Sequence, residues 1–230
     1  MFFRSLLTLC VAIIVVQSVD TSKILPTYKQ FSESISERLE DSKVLPEYLG
    51  SWKPLGSFII KYKDSENLEL GNYLSPNQTE NPPTEFTFKS FFTLTKQFKS
   101  DLYSIALTDL DPDYEKAHAI WENIPFNDED FTIVENQKDN DTFDTTFNLT
   151  NSRNLLEYLG PGPRPGTGTH RYVYILFRQP YGKLPNHELK FRERWGSKYL
   201  EHGVEDWANY YGLEPLAVNF FTSSNEDDGN

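Results

Sequence analysis

The 230-residue sequence predicts a mainly β protein with a few helices at its periphery. Aromatic residues make up 15% of the chain, and their broad side chains pack well on the pleated surface of a sheet. The 14 prolines and 12 glycines indicate many turns between short elements, which favours strands over a helical bundle. The near-continuous apolar run over residues 171–177 is typical of a central strand that is buried on both faces.

Other short apolar runs predict the remaining strands. The predicted strands cover residues 58–62, 86–88, 103–108, 118–124, 171–177 and 216–222. Residues 127–152 are polar and acidic without apolar periodicity, so we interpret them as an exposed insertion between strands. We expect a single domain over residues 23–222 and a disordered acidic tail over residues 223–230.

Apolar residues at helical spacing predict two helices. In the first, over residues 28–39, the apolar face consists of Tyr28, Phe31, Ile35 and Leu39, and we expect this helix to pack on the surface of the domain. The second helix covers residues 204–211, and Gly212 suits its C-terminal end.

Residues 1–18 have the pattern of an export signal. Arg4 precedes an unbroken apolar run over residues 6–16, and Ser18 fits the small residue before a cleavage point. The run is shorter than the roughly 20 residues that cross a bilayer as a helix, which favours cleavage over an uncleaved anchor. We expect the mature chain to have no transmembrane span and to be secreted or vacuolar.

The positions of the cysteine and of the sequons agree with export through the secretory pathway. The only cysteine, Cys10, lies inside the apolar run, so the mature chain would have no disulfide and no thiolate metal site. Three sequons, at Asn77, Asn140 and Asn148, predict glycosylation in the secretory pathway.

The charge of the chain argues against two classes of partner. The formal net charge is −12, which repels the phosphates of nucleic acids. It also disfavours simple electrostatic adsorption to anionic membrane surfaces. We therefore expect no nucleic-acid partner.

Common catalytic and cofactor motifs are missing from the sequence. There is no His-Glu-x-x-His zinc signature, no Gly-x-Ser-x-Gly elbow and no Walker-type phosphate loop. The glycine-rich loop 160–168 precedes a strand instead of joining a strand to a helix, so it is a poor dinucleotide fingerprint. Its alternating prolines and glycines indicate a rigid loop that can bring backbone N–H groups close to an anion. We expect no cofactor.

Two of the four histidines, His118 and His170, lie at the starts of predicted strands. Together with a carboxylate and a tyrosine hydroxyl they would form a cluster able to donate hydrogen bonds to a phosphate. Histidines at strand starts are also often hydrogen-bonded structural residues. A zinc site from His118, His170 and Asp111 has suitable ligand types but no supporting spacing, so no metal is predicted. Among the functional classes considered, an enzyme has the least support, because no motif places a serine or cysteine nucleophile.

Two segments carry a family resemblance. The first is Gly168-Thr-His170-Arg171-Tyr172, which follows the glycine-proline loop and enters the buried strand. The second is the turn 109–113 followed by a strand that opens with His118. These segments resemble the phosphatidylethanolamine-binding protein family, and over about residues 28–221 the chain is similar to its fungal carboxypeptidase Y inhibitor branch.

The resemblance implies an antiparallel β-sandwich with a small anion-binding pocket. Its residues in this chain would be Asp111, His118, His170 and Tyr172. Both histidines would offer N–H donors, and Tyr172 would offer its hydroxyl. Asp111 would orient a histidine or accept a hydrogen bond from an ammonium headgroup. Loop 160–168 would form the pocket wall.

The turn departs from the family pattern at two positions, Leu110 and Asp113. Leu110 stands where the family has its first proline, and Asp113 adds a carboxylate. If Asp113 faces the pocket, its charge would weaken anion binding by about 1 to 4 kcal/mol.

The resemblance also implies a binding protein rather than an enzyme. The first hypothesis is an inhibitor of a serine carboxypeptidase or another protease. The alternative is a carrier or sensor of phospholipid headgroups or other small phosphate ligands. A third hypothesis is that the chain retains the family fold but does not use the pocket.

Overall fold

The computed structural model describes residues 23–45, 50, 52–63, 67–135, 141–199 and 202–225. The export segment 1–18, the sequon at Asn140 and residues 226–230 of the predicted tail lie outside these ranges. Within them, no helix is long and apolar enough to cross a membrane.

Strands dominate the described part of the chain. The helices are α1 Lys29–Asp41, α2 Lys96–Ser100 and α3 Val204–Tyr210. The strands are β1 Gly56–Lys61, β2 Asn72–Tyr73, β3 Glu85–Ser90, β4 Leu102–Asp109, β5 Lys116–Pro125, β6 Phe131–Val134, β7 Thr142–Thr146, β8 Arg153–Leu156, β9 Thr169–Gln179 and β10 Glu214–Ser224.

These strands form two sheets. One has four strands in the order β1-β3-β7-β6, and the other has six in the order β2-β10-β9-β4-β5-β8. Neighbouring strands are antiparallel, apart from the two-residue β2, which pairs parallel with β10. The predicted mainly β sandwich with few helices is therefore confirmed.

Aromatic side chains fill the space between the two sheets. Phe86 of the smaller sheet lies 5.8 Å from the ring of Tyr174 and 5.4 Å from Trp121, both on the larger sheet. All three are buried, as is Phe88 next to Phe86. The aromatic richness of the sequence therefore supplies the inter-sheet core, because large rings fill the roughly 10 Å gap between packed sheets.

Helices cover the other face of the six-stranded sheet. Val173 and Ile175 of β9 pack there in a buried cluster with Leu39 of α1 and with Val204 and Trp207 of α3. Because both faces of β9 are buried, its residues alternate between two apolar environments instead of between core and solvent. This confirms the central strand that the apolar run predicted.

The segment 127–152 is not the exposed insertion that its polarity indicated. It contributes β6 and β7 to the edge of the four-stranded sheet. Phe143 of β7 is fully buried, 5.1 Å from the ring of Phe98. The sequence pattern missed these strands because they are short and place few large apolar residues in the core. Ser223 and Ser224 likewise belong to β10 and not to a disordered tail.

The predicted apolar face of the first helix packs on the core except at Phe31. Leu39 is buried, and Tyr28 and Ile35 are partly buried against the core clusters. Phe31 is 61% exposed, and Ser32 and Ser36 are buried. The hydroxyl of Ser32 donates to the Pro54 carbonyl at 2.7 Å, so small side chains allow the helix to approach neighbouring backbone closely.

Strand register brings the histidine-bearing segments together. β4 is antiparallel to both β5 and β9, so the end of β4 meets the starts of its two neighbours. Asp109, the last residue of β4, is in register with Tyr172 of β9 and Lys116 of β5. His118 and His170 therefore reach the same end of the larger sheet.

Candidate ligand-binding site

A cavity of about 620 Å³ opens at this end of the six-stranded sheet. All four residues of the predicted pocket line it, namely Asp111, His118, His170 and Tyr172. Loop 160–168 forms part of the wall, as expected. The volume lies within the roughly 300–1,000 Å³ of small-molecule sites.

A residue that sequence reasoning did not select, Asp109, lies at the centre of the site. Its Oδ2 is 2.9 Å from Nδ1 of His170, and 3.9 Å from Nε2 of His118. The Tyr172 hydroxyl also hydrogen-bonds to this carboxylate. Asp109 is only 3% exposed, so its carboxylate depends on hydrogen bonds from His170 and from the backbone N–H of Asp111 rather than on water.

Asp111 lines the cavity, but it does not orient a histidine. Its carboxylate pairs with Arg171, at 2.6 Å from Nη2 to Oδ1 and 2.9 Å from Nε to Oδ2. Arg171 also donates to the Ser42 carbonyl at 2.8 Å, which ties the end of α1 to the site. The role predicted for Asp111 therefore belongs to Asp109, because the turn after β4 directs the later carboxylate towards Arg171.

His118 differs from its expected role as a donor to an anion. Its Nδ1 lies 2.8 Å from the Leu159 carbonyl, and a carbonyl can only accept, so Nδ1 carries the proton. Burial lowers the pKa of His118 to about 4, although Leu159 and Asp109 act in the opposite direction. At neutral pH the ring is uncharged and Nε2 is an acceptor, without a hydrogen-bond partner among the described residues.

His170 connects the carboxylate to the loop. Its Nδ1 contacts Asp109, while its Nε2 lies 2.9 Å from the Thr167 hydroxyl. Thr167 in turn donates to the Arg164 carbonyl at 2.8 Å. His170 therefore fixes the position of the glycine-proline loop relative to β9, a contact that no local sequence signal indicated.

Tyr172 lies between the two imidazoles. Its ring stacks on His170 at 6.3 Å and meets His118 edge-on at 5.2 Å. Burial, followed by the charge of Asp109 and the hydrogen bond to it, raises the pKa of the Tyr172 hydroxyl. The hydroxyl is therefore protonated at physiological pH and donates to Asp109.

Carboxylates outnumber basic groups in the cavity lining. The acidic residues there are Asp109, Asp111, Asp113 and Glu193, and the basic ones are Lys116 and Arg164. Asp113 thus lines the cavity, in the position at which it would weaken binding of a free anion. In the described ranges, no group of three or more potential ligands is arranged to hold a metal ion.

Two of the sequons can be located. Asn77 is exposed on a 3₁₀ turn, Pro76–Thr79, and Asn148 is exposed ahead of another, Leu149–Asn151. Glycosylation at these asparagines stays a prediction.

Comparison with known proteins identifies the family. The phosphatidylethanolamine-binding protein model matches residues 64–221. Carboxypeptidase Y inhibitor from Saccharomyces cerevisiae is 30% identical over 187 residues, which are 74% of this chain and 85% of that protein. The chain therefore belongs to the phosphatidylethanolamine-binding protein family.

Solved structures agree with this assignment. The crystal structure of carboxypeptidase Y inhibitor complexed with its cognate proteinase matches with a TM-score of 0.73 and 25% identity, covering 88% of this chain and 100% of that one. A phosphatidylethanolamine-binding protein from Plasmodium vivax shares the fold, with a TM-score of 0.58 and 15% identity over 83% of this chain and 97% of that one. This homology supports a role as a protease inhibitor or binding protein.

Proposed function

We propose that this chain is a binding protein of the secretory pathway that inhibits a serine carboxypeptidase or a related protease, without catalysing a reaction. The observation that carries the proposal is the combined likeness to carboxypeptidase Y inhibitor, at 30% identity in sequence and a TM-score of 0.73 in structure. That inhibitor was solved with its cognate proteinase, which supports a protease as the partner. The export pattern of residues 1–18 supports a secreted or vacuolar location.

A titration of carboxypeptidase Y with the purified mature chain tests this proposal. We expect loss of peptidase activity at micromolar concentrations of a chain that begins at Val19. A second sample that begins at Lys23 shows whether the residues directly after the cleavage point take part. Full peptidase activity in a micromolar excess of both samples would contradict the proposal.

A specific observation favours a second function, the binding of a small polar headgroup. His118, His170 and Tyr172 converge on one cavity of about 620 Å³ around a buried carboxylate. Rings held at defined angles about a charged group supply a preorganised site rather than a chance arrangement.

The polarity of the cavity favours a zwitterion over a bare phosphate. The protons of the His118 Nδ1, the His170 Nδ1 and the Tyr172 hydroxyl are directed to protein acceptors. The acceptor left unpaired at this wall is Nε2 of His118, beside Asp109, and this pair suits an ammonium group. Lys116 and Arg164 would meet the phosphate of the same ligand.

Nuclear magnetic resonance with three ligands tests this second function. We expect phosphoethanolamine to shift the His118 and His170 signals at lower concentration than phosphate or ethanolamine does, and His170→Ala to abolish the shift. His202→Ala is the matched control, because His202 pairs with Asp206 and does not line the cavity. If the signals stay unchanged at millimolar ligand, the cavity has no headgroup function.

A further inference from the structure

A second cavity, of about 720 Å³, lies between α3 and the segment 187–198. Among the residues that the structure describes, none lines both this cavity and the one around Asp109. Neither the likeness to carboxypeptidase Y inhibitor nor the headgroup proposal assigns it a role. It is also the larger of the two, and its volume is within the roughly 300–1,000 Å³ of small-molecule sites.

Five aromatic side chains contribute to its walls. They are Phe191, Trp195, Trp207, Tyr210 and Tyr211. The ring of Trp207 lies 5.3 Å from Trp195 and 5.8 Å from Tyr211. Phe191 and Tyr210 are exposed, so part of the aromatic surface is open to a ligand. These walls suit the apolar body of a ligand.

The backbone on one side of the cavity is held in an uncommon conformation. Arg194, Trp195 and Gly196 have φ angles of 51°, 50° and 76°. Left-handed conformations at consecutive residues other than glycine are costly, and they persist where surrounding contacts enforce them. Here the Trp195 indole N–H donates to the Thr108 hydroxyl at 3.0 Å. This wall is therefore fixed before any ligand arrives.

The indole of Trp207 provides a polar contact for a ligand. Trp207 lines the cavity and is 4% exposed, yet its Nε1 has no hydrogen-bond partner among the described residues. An indole N–H can only donate, and buried donors in proteins are nearly always paired. A hydrogen-bond acceptor on a bound molecule would satisfy it.

Charged residues in the lining do not exclude a negative acceptor. Two lysines, Lys190 and Lys198, stand beside two carboxylates, Glu188 and Asp206, and Asp206 is engaged by His202 at 3.1 Å. In the first cavity, by contrast, carboxylates outnumber the basic groups.

We propose that this second cavity binds an aromatic carboxylic acid. Its ring would pack against Trp207 and Tyr211, and its carboxylate would accept from the Trp207 indole N–H. Lys190 and Lys198 would add long-range attraction for the carboxylate. Aromatic walls also attract cations, but the unpaired indole N–H of Trp207 requires an acceptor, which a cationic group does not provide.

Tryptophan fluorescence measures this binding directly, because Trp195 and Trp207 line the cavity. The probes are N-acetyl-L-phenylalanine, its neutral amide, and cationic L-phenylalanine amide. We expect saturable binding of the acid, about tenfold tighter than the neutral amide, since a charge-assisted hydrogen bond is worth roughly this factor.

Three substitutions, one of them a control, test whether the acid binds in the second cavity. Trp207→Phe keeps a ring but removes the donor, and Lys198→Met removes a charge from an exposed segment without touching the core. Each should weaken binding of the acid, while Lys89→Met, on the other sheet, should leave it unchanged. Equal or tighter binding of the cation, no saturable signal with the acid, or unchanged binding in both cavity variants would overturn the proposal.

Discussion

Nδ1 of His170 lies 2.9 Å from Oδ2 of Asp109, a residue 61 positions earlier in the chain. The two residues belong to neighbouring strands, β9 and β4, at the end where β4 stops. The same carboxylate accepts the Tyr172 hydroxyl and faces His118. This one buried acceptor therefore orients His170 and Tyr172, whereas His118 is oriented by the Leu159 carbonyl.

Asp109→Asn tests the importance of this acceptor. The amide cannot accept from His170 and Tyr172 equally well, so we expect a loss of about 1–3 kcal/mol in the free energy of unfolding and weaker headgroup binding. Urea unfolding and the His170 resonance measure the two effects. Asp111→Asn is the matched control, because it removes a carboxylate from the same wall but leaves Asp109 in place; equal loss of binding in both variants would contradict this assignment.

His118 should make the protein less stable in acid. Burial lowers its pKa in the folded state from 6.5 to about 4, so between these values the unfolded chain binds the proton more readily. The stability that depends on a neutral His118 is therefore complete above pH 6.5 and is lost as the pH falls towards 4. Unfolding free energies of the wild type and His118→Gln over this range test the effect, and parallel pH profiles would argue against it.

Glu115 should have the opposite effect and make the protein less stable as the pH rises. Burial raises its pKa from 4.5 to about 7, in spite of hydrogen bonds from the Thr108 hydroxyl and the Val204 N–H. The folded chain therefore binds this proton more readily, and its contribution to stability falls as the pH rises from 4.5 to 7. Glu115→Gln should flatten the profile over this interval in chemical unfolding. Val204→Ala, which keeps the backbone donor, should retain the slope.

Gly203 is required because of close packing and not because of its backbone conformation. Its φ is −148°, which any residue adopts, but a Cβ there would lie 1.7 Å from Oε2 of Glu115. Gly203→Ala should lower the unfolding free energy by about 1–3 kcal/mol, since a buried carboxylate or α3 must move. Gly162→Ala is the control, because no atom of the described residues lies within 4 Å of its Cβ position. A melting temperature for Gly203→Ala equal to that of the control would show that the contact is relieved at no cost.

Several residues of the site could be found from the sequence alone. His118, His170 and Tyr172 stand at the starts of apolar strands, and such starts lie at the rim of a sheet. The apolar run of β9 indicated burial on both faces because each side chain meets an apolar layer, whichever way it points. Both patterns depend only on residues that are close together along the chain, so they can be recognised in a single sequence.

Other features depend on which segments meet. Asp109 and Asp111 are two residues apart and chemically identical, and only the register of β4 against β9 directs one to His170 and the other to Arg171. The strands β6 and β7 were hidden because they are only four and five residues long and place few large apolar side chains in the core.

The fold class, the family resemblance and most residues of the first cavity follow from local features of the sequence. The polarity of that cavity depends on folding, because the carbonyl of Leu159, 41 residues from His118, accepts a hydrogen bond from Nδ1 of the ring. Folding also created the second cavity, in which Trp207 and Lys198 come from separate segments with no shared motif. Hydrogen bonds and charges act over a few ångströms in space, and only folding determines which residues lie within that distance.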